Sequence, residues 1–66
     1  MPSNLEIRTN QKSMLFDLLK LKKDNTKEGI LVVGLDVLII KLQTAMEEED
    51  VALVEKNIAS LDLLGK

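Results

Sequence analysis

Of the side chains that carry most enzyme chemistry, this sequence keeps carboxylates, lysines and hydroxyls and has no cysteine, histidine, tryptophan or tyrosine. Thiolate nucleophiles, imidazole acid–base catalysis and Cys/His zinc sites are therefore excluded within one chain. Phe16 is the one aromatic residue, too little for a base-stacking platform. The densest set of candidate ligands is Glu47-Glu48-Glu49-Asp50. Hard cations take clustered carboxylates, but this run lacks the alternating ligands and the glycine of a calcium loop. Four successive residues at a helix boundary also point in different directions. The run reads as a solvated corner whose negative charge suits a helix N-terminus, and no metal or cofactor is expected.

Asp36 is the other candidate acid, set in the apolar run Ile30 to Ile40. Burial would raise its pKa toward a useful range. It has no second group to work with, and the helical reading places it on a polar edge with Gln43 and Glu47. No catalytic residue is assigned, and the expectation is a protein that is not an enzyme.

Lys20, Lys22, Lys23 and Lys27 form the one basic cluster. Residues 1–27 carry six basic and three acidic groups, residues 28–66 three and eight. The cluster is a possible nucleic-acid patch, which gives the alternative reading: a small nucleic-acid-associated helical dimer. The net charge of −2 and the lack of a helix rich in Arg, Asn or Gln argue against it.

The elements that position these residues belong to a chain of 66 residues, one small helical domain at most. Apolar residues make up 45% of it, thirteen of them leucine. A chain this short buries only about 60% of its unfolded surface. Such scaffolds usually add a disulfide, a metal or a partner, and here the partner is the option left. A homo-oligomer, most simply a dimer, is the first structural expectation.

Ser3 and Glu6 have the spacing of a capping box. Ile7, Gln11, Met14, Leu18 and Leu21 step by four and three along one stripe. A helix is expected over 10–23, with an extension back to Ser3. Residues 24–28 read as a polar break, with Asn25 or Thr26 able to cap the next helix. The second helix is expected over 27–47. Leu31, Leu35, Leu38, Leu42 and Ala45 form one stripe of it, and Val32, Leu35, Ile39, Leu42 and Met46 another. Ile30, Val33, Val37 and Ile40 add apolar surface on nearly every side, the pattern of a helix buried all round. Gly34 falls inside it, as a close approach or as a weak point. The rival reading is a β-hairpin of 30–33 and 37–40 turning at Gly34-Leu35-Asp36. A third helix is expected over 50–64 on Val51, Val54, Ile58, Leu61 and Leu64, with Gly65 as its stop.

The fold class is thus all-α, a three-helix unit assembling as a homodimeric helical bundle. Leu31, Val32, Leu35, Leu38, Ile39 and Leu42 are the expected protein interface, and a charge at Leu35 should abolish assembly. The expected function is non-enzymatic protein–protein interaction by a small regulator, adaptor or chaperone-like protein, with an amphipathic helix as the docking element. Its protein partner is not specified by the residues. The first residues lack the pattern of a signal peptide. The apolar run of eleven residues is too short to span a bilayer, so a cytoplasmic location is expected.

Overall fold

The computed structural model describes residues 3–64, apart from the side chains of Asp62 and Leu64. It is all-helical, with α1 (Asn4–Lys27), α2 (Leu35–Ala45) and α3 (Glu48–Leu64). No strand occurs among the described residues, so the hairpin reading of 30–40 is set aside.

The capping signal at the start of α1 is realised in its first half. The Glu6 backbone N–H donates to Ser3 Oγ at 3.1 Å, and the helix begins at Asn4 with Ser3 as its cap, in line with the expected extension back to Ser3. Its other end is also further out than the polar composition of 24–28 suggests. Asp24, Asn25, Thr26 and Lys27 are helical, and Thr26 caps nothing: its hydroxyl donates back to the Lys22 carbonyl. Polar residues do not break a helix that still has carbonyls to receive their N–H groups. The stop is Gly29, at φ +73°. There the Ile30 N–H reaches the Asn25 carbonyl at 2.8 Å and the Gly29 N–H reaches Thr26 at 3.1 Å. These are the two bonds of a Schellman ending, which needs a left-handed residue at that position.

The expected helix over 27–47 is therefore corrected at its front. Residues 28–34 form the connection, and α2 starts at Leu35 after Gly34 at φ +89°. Gly34 is not an interior weak point but the residue that turns the chain into α2. From Leu35 onward the second stripe holds: Leu35, Ile39 and Met46 are buried and Leu42 packs beside them. Met46 and Glu47 join α2 to α3. The Glu47 carbonyl takes the N–H groups of Asp50 and Val51, so the acidic run does open the third helix, two residues earlier than expected. Gly65, the expected stop, lies outside the described residues, as does the side chain of Leu64.

Leu15 is fully buried and centres the core, with Leu35, Ile39, Met46 and Val54 around it and Phe16, Leu18, Leu19, Leu42 and Val51 packed against them. The stripe expected to bury α1 is corrected here: Ile7, Met14 and Leu21 are exposed, and the helix turns Leu15 inward instead. The reason is that α1 lies against both other helices while α2 and α3 scarcely meet. The inward side of α1 is fixed by two neighbours at once rather than by its most regular apolar row.

Candidate functional site

Between the Schellman ending of α1 and the Gly34 turn, the chain presents Ile30, Leu31, Val32 and Val33 to solvent, with Leu31 85% and Val33 91% exposed. Beyond the turn, α2 buries Leu35 and Ile39, exposes Val37 and Ile40 on the opposite side, and leaves Leu38 exposed on the flank next to Leu35. Seven large apolar side chains within eleven residues thus face outward, against five large hydrophobics in the buried core among the described residues. Scattered exposed leucines are ordinary, but a contiguous apolar patch marks a binding surface.

The expected interface residues divide across this surface. Leu31, Val32 and Leu38 are exposed and lie in it. Leu35 and Ile39 are 7% and 5% exposed and point into the chain's own core, and Leu42 is half-buried against that core. A charge at Leu35 therefore attacks the fold of one chain before any assembly. Ile30, Val33, Val37 and Ile40 complete the patch; their signal in the sequence is the presence of apolar residues on all sides of one segment.

The lysine cluster is divided too. Lys22 Nζ lies 2.6 Å from Asp36 Oδ1, tying α1 to the head of α2. Lys20, Lys23 and Lys27 step by three and four along a different side of α1, with Lys20 and Lys27 exposed and Lys23 half-buried. Asp36 is exposed and ion-paired at the helix start, not held in an apolar pocket. An exposed pair of this kind contributes about 0–1 kcal/mol.

The acidic corner is built around an arginine that sequence reasoning did not single out. Arg8 Nε donates to Asp50 Oδ2 at 2.8 Å and its Nη2 to Asp50 Oδ1 at 2.9 Å, with a third bond to Glu49 Oε1 at 3.0 Å. Asp50 is 5% exposed. The hydrogen bonds from Arg8 hold its carboxyl below the usual carboxylate range; burial opposes this, and the charges of Arg8 and Lys12 reinforce it. Arg8 is in turn held more firmly protonated, first by its bonds to Asp50. Two partners 42 residues apart leave no local mark in the sequence. This fork ties α1 to the first turn of α3. A neighbouring hollow bounded by Gln43, Glu48, Val51, Ala52 and Glu55 is open to solvent.

No helix among the described residues is long and apolar enough to cross a membrane. No protein-family model, curated protein or solved structure matches this chain.

Proposed function

We propose that this chain is a non-enzymatic protein–protein interaction module, a small regulator, adaptor or chaperone-like protein that works through self-association as a homodimer. The observation that carries the reading is the outward apolar surface of residues 30–40. Its exposed part is larger in side-chain number than the buried core beneath it, and burial of such surface drives association. The ionic groups support the same reading, because Arg8, Asp50, Lys22 and Asp36 are used to hold the three helices together.

Light scattering on a size-exclusion column, across a tenfold dilution, tests it. The wild type is expected at twice 7.4 kDa. Leu31→Asp and Val33→Asp change exposed side chains, so both should keep the helical circular dichroism and run as monomers. A wild type that is monomeric at every concentration overturns the self-association reading.

A further inference from the structure

The outer side of α2 carries a spacing that its apolar content alone does not use. Val37, Ile40 and Thr44 follow at three and four residues, all exposed, on the side away from Leu35, Ile39 and Leu42. Val33 stands four residues before Val37, in the turn that leads into the helix. This is the a/d spacing of a helix–helix seam, with Val37 at a and Ile40 at d. The two flanks of the seam carry opposite charges: Asp36 just before Val37 and Lys41 just after Ile40. Across a parallel seam, a flank residue meets the residue five positions further along the other helix, and Asp36 and Lys41 have that separation. Across an antiparallel seam like flanks meet, which sets the Lys41 side of one helix against the Lys41 side of the other.

We infer that a second copy of this chain covers this face, its α2 lying parallel to the first about a two-fold axis, with Asp36 of each copy reaching Lys41 of the other. The inference rests on the self-association proposed above and gives it a geometry. Asp36 keeps 62% of its side chain exposed while paired with Lys22, so it is accessible to a second cation. The area agrees with a dimer. A compact monomer of this mass exposes about 4200 Å², whereas this chain exposes 5230 Å². The excess of roughly 1000 Å² is spread over the whole chain and leaves room for the roughly 800 Å² that each partner buries in a standard interface. The seam itself is short, since eleven helical residues rise about 16 Å. A parallel pair brings the two 30–33 segments to the same end of the seam, where Leu31 and Val33 extend the apolar contact.

The chain has no cysteine, so introduced ones report cleanly. Val37→Cys and Thr44→Cys, made separately, should each form a disulfide with its own copy under mild oxidation, read on a non-reducing gel. In an antiparallel pair these two positions lie at different heights on the partner helix, so the two variants would not both cross-link to themselves. Lys41→Asp and Asp36→Lys should each weaken dimerisation about tenfold through like-charge contacts, and the double exchange should restore it. A wild type that is dimeric by light scattering, without self-cross-linking at both positions, overturns the parallel pairing and leaves self-association standing. A monomeric wild type overturns both.

Discussion

Arg8 and Asp50 show how one ion pair can set the acid response of a small fold. The unfolded Asp50 carboxyl titrates at about pH 3.9, and in the folded chain the Arg8 fork keeps it ionised to lower pH. Between those two values the unfolded chain holds the extra proton, so stability rises with pH there. The contribution is complete above the unfolded value and is lost as pH falls through the folded one. Urea midpoints should therefore drop on going from about pH 5 to about pH 2. Asp50→Asn should start lower at neutral pH and show a shallower acid decline; an unchanged acid decline would mean that other carboxylates carry it. Arg8→Met should lower the neutral-pH midpoint more than Asp50→Asn does. It strands a buried carboxylate, whereas the reverse change leaves a half-exposed arginine that water can serve. Leu15 is the apolar counterpart of this pair. It is the fully buried side chain that all the other core residues surround, so Leu15→Ala should cost about 2–5 kcal/mol in urea unfolding. The corresponding loss at Ile7, whose side chain is exposed, should be small. Neither result could be assigned from the sequence, where Ile7 belongs to the more regular row. Burial on α1 is decided by two helices that arrive from distant parts of the chain.

At the scale of elements, legibility depends on how local each signal is. The cap at Ser3 and the acidic opening of α3 act within one turn, and both are readable. The front of α2 is misplaced in the sequence reading because unbroken heptad steps from Leu31 to Ala45 favour a helix, while the residue that forbids continuity is Gly29, which lies before those steps begin. A second glycine five residues on then lets the chain re-enter a helix at a new angle. Both glycines sit at positive φ with open space around the position of a Cβ. The strain on adding a side chain is therefore conformational and not steric crowding. Gly29→Ala and Gly34→Ala should each destabilise the fold by about 1–2 kcal/mol. Gly29→Ala should also raise the helical signal at 222 nm, since relief of its strain is to continue α1 into 28–31. An unchanged spectrum with unchanged stability would remove the helix-ending role given to Gly29.

At the scale of the whole molecule the sequence's excess of large apolar residues is resolved by geometry, not by a larger core. α2 and α3 lie on α1 and scarcely on each other, and the chain extends over 40 × 28 × 18 Å. Its radius of gyration is 12.7 Å, where about 11 Å is usual for a compact domain of this length. Among the described residues, three helices around five buried hydrophobics leave little stability for one copy alone. A dimer couples that stability to concentration, because association binds the folded state and not the unfolded one. Each tenfold rise in protein should then add about 1.4 kcal/mol to the folded dimer and raise Tm by about 5 °C. Ile40→Glu removes an exposed contact from the proposed seam without touching the core. Its Tm should be lower than that of the wild type and independent of concentration. A wild-type Tm that does not move over two decades of concentration would mean that one copy holds its fold unaided, with residues 30–40 open to solvent.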